Sequence, residues 1–160
     1  MQKDTLALVQ KLHEKLLLKK LKISTAESCT GGMLSNYLTA FPGSSKFFLH
    51  GFITYSNSAK IKFLNVPSKL INQYGAVSKE VAIAMANGAL IKDDNAIAIA
   101  ITGIAGPAGE SKNKPVGLVY FSIASKKFCH NSKKFFFGHR NRIKEQSCKY
   151  IIGILLNRMV

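Results

Sequence analysis

Ser28, Cys29 and Thr30 follow a short β-branched run at 22–26 and precede Gly31-Gly32, a place where a nucleophile would stand between a strand and a helix. Free N–H groups at a helix start attract an anion or a developing oxyanion. The same position equally suits a serine or threonine that merely caps the helix. Ser28 has neither a G-x-S-x-G elbow around it nor a lysine three residues on, and only 8 acidic residues are available for a Ser-His-Asp arrangement. A lysine or tyrosine is therefore the expected base, and Tyr55-Ser56-Asn57-Ser58-Ala59-Lys60 offers both. Lysine serves as a base only where burial or a neighbouring cation lowers its pKa; otherwise Lys60 is one more exposed lysine beside Lys62 and Lys69. Tyr55, taken alone, reads as a half-buried strand residue. Cys29 is an alternative nucleophile, because a thiolate would be stabilised at the same helix start.

A second candidate is the Gly- and Pro-rich stretch 102–115, opening Thr102-Gly103-Ile104-Ala105-Gly106-Pro107. Its backbone N–H groups would suit a phosphate, although no G-x-x-x-x-G-K-[ST] is present and an ordinary turn has the same composition. His13, His50, His130 and His139 lack metal-ligand spacing with one another or with the cysteines, so no metal is assigned.

The elements that must position these groups alternate. Helices are predicted over 4–20, from about 28 to 39, over 56–64, 67–75 and 79–92, and over 140–158. Strands are predicted over 22–26, 47–55, 96–101, 116–124 and 128–137. Such alternation predicts a three-layer α/β/α domain with a mixed, mostly parallel sheet, its last two strands an antiparallel pair. Ligands of such sheets bind beyond the strand carboxyl ends, where both Gly-rich segments fall.

With 160 residues and 47% apolar side chains, one domain spanning 1–160 with a sizeable core is expected. The 23 Lys plus Arg against 8 Asp plus Glu give +15, which attracts polyanions, yet only Arg140, Arg142 and Arg158 are arginines. A solvated Lys-rich surface fits that balance better than nucleic-acid recognition, which favours arginine forks. Three cysteines without C-x-x-C spacing suggest neither a disulfide framework nor zinc, and point to a reducing cytoplasm. The first residues lack a basic region followed by an apolar stretch, so neither secretion nor membrane insertion is expected.

Taken together, Thr25-Ala26-Glu27-Ser28-Cys29-Thr30-Gly31-Gly32, Pro42-Gly43-Ser44-Ser45, Tyr55-Ser56-Asn57 with Lys60, Gly75-Ala76-Val77-Ser78 and Thr102-Gly103-Ile104-Ala105-Gly106-Pro107 closely resemble the CinA C-terminal domain family. Lys114-Pro115-Val116-Gly117 and Phe137-Gly138-His139-Arg140 extend the resemblance to nearly the whole chain. The resemblance implies a nicotinamide mononucleotide (NMN) deamidase of pyridine nucleotide salvage, releasing nicotinic acid mononucleotide and ammonia without a cofactor. It implies Ser28, Lys60 and Tyr55 as catalytic residues, Lys60 acting directly or through Tyr55. Glu27, Thr30, Gly31 and Gly32 are implied at the substrate, with backbone N–H groups near Thr30, Gly31 and Gly32 as oxyanion donors. Thr102, Gly103, Ala105 and Gly106, with Arg140 or Arg142, are implied for the ribose phosphate. A homodimer is expected by the same resemblance. The competing expectations are a silent nucleotide-binding module of this fold and a basic nucleic-acid-binding protein.

Overall fold

A computed structural model describes residues 2–158. Five strands form one sheet in the order β2-β1-β3-β4-β5: β1 (Lys22–Glu27), β2 (Phe48–Ile53), β3 (Ala96–Gly103), β4 (Leu118–Ser125) and β5 (Cys129–Phe135). β1 pairs in parallel with β2 and β3, whereas β3–β4 and β4–β5 are antiparallel. Thus β4 alone runs against the other strands, which is the mixed sheet the alternation predicts. Helices α1 (Lys3–Leu18), α2 (Met33–Leu38) and α6 (Arg140–Arg158) pack on one face, and α3 (Asn57–Leu64), α4 (Ser68–Tyr74) and α5 (Lys79–Ala89) on the other.

Apolar spacing accounts for both layers. In α1, Thr5, Val9, Leu12 and Leu16 recur on one stripe and are all buried. β3 lies between both helical layers, so its Ala and Ile side chains are buried on either side, and the unbroken apolar run at 96–101 follows from that placement. Small residues of α5 allow close approach: a Cβ built on Gly88 would lie 2.0 Å from the Leu64 carbonyl oxygen and 2.9 Å from Leu64 Cα. Because those atoms are backbone, Gly88→Ala must push α3 from α5. We expect a loss of about 3 kcal/mol and a melting temperature lower by about 10 °C, read by thermal unfolding.

Two boundaries differ from expectation with consequences for the site. Helix α2 begins at Met33, not near Ser28, since Gly31 and Gly32 take left-handed backbone (φ +60° and +93°) that turns the chain before a helix can start. β2 ends at Ile53, so Tyr55 lies beyond the strand. Register then aligns three chain segments: Glu27 stands beside Ile53 on one side and Ile101 on the other. Ser28 and Thr54-Tyr55 therefore leave the sheet beside Thr102-Gly103, the last residues of β3, at one carboxyl edge.

Candidate active site

Ser28 is the first residue past β1. Its N–H donates to the Ile101 carbonyl at 3.0 Å, which ties it to β3, and the residue is almost fully buried. Across from it, Thr54 N–H donates to the Glu27 carbonyl at 2.9 Å, fixing the path out of β2. Ser56 then caps α3 by accepting the Ala59 N–H at 3.1 Å. That cap sets the phase of the helix and turns Lys60 inward.

Lys60 is 1% exposed, so the sequence expectation of a solvated lysine face does not hold for it. Its Nζ lies 3.1 Å from Ser28 Oγ and donates to the carbonyls of Thr54 at 2.8 Å and Tyr55 at 3.3 Å. Burial away from water holds the amine below its usual 10.5, against a smaller opposing influence of Cys29. A charged ammonium offers three N–H groups to these three acceptors. The neutral amine keeps two for the carbonyls and presents its lone pair to the serine hydroxyl. Proton exchange with Ser28 thus needs no change of partner.

Tyr55 does not relay between the two. Its hydroxyl accepts from Arg140 Nη2, and only its carbonyl meets Lys60. Arg140 Nη1 also donates to the Gly106 carbonyl at 2.7 Å, so the guanidinium bridges the 103–109 loop and Tyr55 and retains further N–H donors. Arg142, two positions on, faces about 200° around the helix and does not line the cavity. Thr102, buried, donates its hydroxyl to the Ala76 carbonyl at 2.9 Å and so anchors the α4–α5 connection at the cavity wall.

These groups surround an open cavity of about 260 Å³, lined also by Asn57, Val77, Gly103, Ala105 and Gly106. Sequence reasoning met Asn57, Ala76 and Val77 only within motifs and gave them no place at the site. The Asn57 position was legible as the residue after a helix cap, and the other two lie in a loop whose approach to β3 depends on the fold.

Four implied substrate residues stand elsewhere. Glu27 is wholly buried: its carboxylate accepts the N–H groups of Gly32 (3.0 Å), Leu34 (3.0 Å) and Ser35 (2.8 Å) and the Ser35 hydroxyl (2.6 Å). The Gly31 N–H is spent on the Ser28 carbonyl at 3.1 Å. Thr30 is buried and its side chain does not line the cavity. The expected oxyanion donors at Gly31 and Gly32 are therefore already committed. Cys29 borders the cavity, but burial first, and the nearby Glu27, push its thiol up to about 12. The thiolate expected of a helix N-terminus is not stabilised here, because no helix starts at this residue and the α2 N-terminus is occupied by Glu27.

A three-layer α/β domain presenting a buried Ser–Lys pair at the carboxyl edge of its parallel strands is the class of molecule this geometry defines. The chain belongs to the CinA C-terminal domain family, whose model matches residues 5–159. It is 48% identical over 147 residues to a CinA-like protein of Prochlorococcus marinus subsp. pastoris, covering 91% of this chain and 34% of that one. Against a CinA-like protein of Geotalea uraniireducens it is 49% identical over 122 residues, 76% of this chain and 29% of the relative. The chain spans about a third of the length of the curated relatives it matches. Among solved structures, the competence/damage inducible protein CihA of Agrobacterium tumefaciens superposes with a TM-score of 0.93 at 35% identity, covering 98% of both chains. A CinA superfamily protein of Klebsiella pneumoniae gives 0.92 at 30% identity over 97% of each chain.

Proposed function

We propose that this domain is a Ser–Lys amidohydrolase that converts NMN and water to nicotinic acid mononucleotide and ammonia. The observation that carries the reading is the buried Lys60 Nζ, 3.1 Å from Ser28 Oγ with its remaining N–H groups held by two carbonyls. Neutral Lys60 takes the Ser28 proton as Oγ attacks the carboxamide carbon. The resulting ammonium gives that proton to the departing nitrogen, and ammonia leaves. Water, deprotonated in turn by Lys60, hydrolyses the nicotinoyl ester and frees Ser28. The oxyanion of each tetrahedral step falls to the backbone N–H of Cys29, which borders the cavity, and of Thr30 behind it, neither of them spent on another residue.

The 5′-phosphate is assigned to Arg140 and the 103–106 backbone across the cavity. Arg140 can form a paired, charge-assisted contact that lysine cannot reproduce. The test is ammonia and acid release from NMN, and from the nucleoside that lacks its phosphate. Arg140→Lys is expected to raise KM for NMN about tenfold with kcat within about twofold, and to leave kcat/KM for the nucleoside unchanged. Equal losses on both substrates would remove Arg140 from the phosphate. An intact chain that binds NMN without releasing ammonia would instead mark a silent nucleotide-binding module.

A further inference from the structure

Building on the amidohydrolase reading, we infer that Glu27 is a positioning residue for the reaction: its carboxylate pins both ends of the loop that carries Ser28 and holds the neighbouring oxyanion donors in place. Glu27 is the last residue of β1, immediately before the nucleophile, yet it reaches forward to the start of α2. One carboxylate oxygen takes the N–H groups of Gly32 and Leu34, and the other takes the N–H and hydroxyl of Ser35. The Ser35 hydroxyl is in turn 2.8 Å from Thr25 Oγ1 on β1, so strand and helix are laced twice.

An accounting of backbone donors shows what this achieves. Ser28 N–H goes to Ile101, Gly31 to Ser28 and Met33 to Thr30, while Gly32, Leu34 and Ser35 go to Glu27. Between Ser28 and Ser35, only Cys29 and Thr30 keep an N–H that is not spent on another residue among the described residues, the Cys29 N–H lying toward its own thiol. Cys29 adjoins the nucleophile and Thr30 follows it. Donors fixed before the reaction stabilise developing charge without reorganising, which is where such sites gain most of their rate.

A local serine or aspartate cap would satisfy this helix end more simply. A fully buried carboxylate is costly unless each oxygen is hydrogen-bonded, and here four donors meet it. Lys144 stands beside the loop, its Nζ 3.7 Å from where a Gly31 Cβ would lie. Glutamine cannot replace the carboxylate, because its NH2 group would face N–H donors on one of the two sides.

The experiment compares wild type, Glu27→Gln and Ser35→Ala by NMN kinetics across pH and by the rate at which a small fluorophosphonate modifies Ser28. In that modification the P–F bond breaks, the Oγ–P bond forms and Lys60 receives the serine proton. Glu27→Gln is expected to lower both kcat and the modification rate about 100-fold, with KM within about twofold and the pH midpoint set by Lys60 unmoved. Ser35→Ala, which removes one donor only, should lose about tenfold in the same pattern, and it carries the test if Glu27→Gln does not fold. A variant that reacts with the fluorophosphonate at the wild-type rate, or that loses activity through KM, overturns the inference alone. A wild type that neither turns over NMN nor is modified at Ser28 overturns the amidohydrolase reading and this inference with it.

Discussion

Replacing Lys60 by arginine is expected to lower kcat/KM for NMN by about 10³- to 10⁴-fold at pH 8, the scale of a lost general base. Arginine keeps a positive charge and hydrogen-bond donors next to Ser28 but stays protonated throughout the accessible pH range. Charge alone would preserve activity; proton acceptance would not. The wild-type pH profile supplies the independent check. Burial holds the Lys60 amine below 10.5, so the neutral, basic form gains population as pH rises, and activity should climb to a plateau with its midpoint below that value. Linkage gives a second readout. The unfolded chain, with the ordinary lysine pKa, binds more protons than the folded one between the folded pKa and 10.5, so stability rises with pH through that window. Lys60→Met should remove that slope from pH-dependent unfolding curves. A flat activity profile together with an unchanged slope would take Lys60 out of the base role.

How much of this was legible beforehand depends on whether the controlling group has a side-chain signature. The run 96–101 and the stripe of α1 announced the layers directly, since apolar periodicity is written in the residues that do the burying. The meeting of Ser28 and Cys29 with the 102–106 segment followed from strand carboxyl ends alone. Lys60 was ambiguous because α3 has little amphipathic contrast, and its phase comes from the Ser56 cap and the exit of β2. Arg140 and Arg142 could not be separated by the helix expected over 140–158, because which side of α6 meets the cavity is set by how the helix packs. Glu27 was read as a substrate contact for a deeper reason: its partners are backbone N–H groups, which every residue except proline owns, and no letter in the sequence marks them. Gly31-Gly32 did carry a signal, since a glycine pair before a helix permits a left-handed turn. That turn delays α2 and frees Glu27 to occupy its N-terminus.

Ser28→Ala is expected to bring ammonia release from NMN down at least about 10³-fold, to the level that binding and oxyanion donors alone sustain. Cys29→Ala should keep kcat within about threefold while lowering the melting temperature by a few degrees, as removal of a buried sulfur does. Those opposite outcomes at adjacent positions separate a nucleophile from a packing residue. The sharper result is the double variant Ser28→Ala with Lys60→Met. If Lys60 served only as a fixed positive charge, its loss would add to that of the serine, and the double variant would be far slower than either single. A base with no nucleophile to activate has nothing further to contribute, so the double variant should fall no lower than Ser28→Ala within about twofold. Single-turnover measurements with enzyme in excess of NMN, read alongside unfolding curves for each variant, distinguish the two cases, and additive losses would break the Ser28–Lys60 unit that the 3.1 Å contact describes.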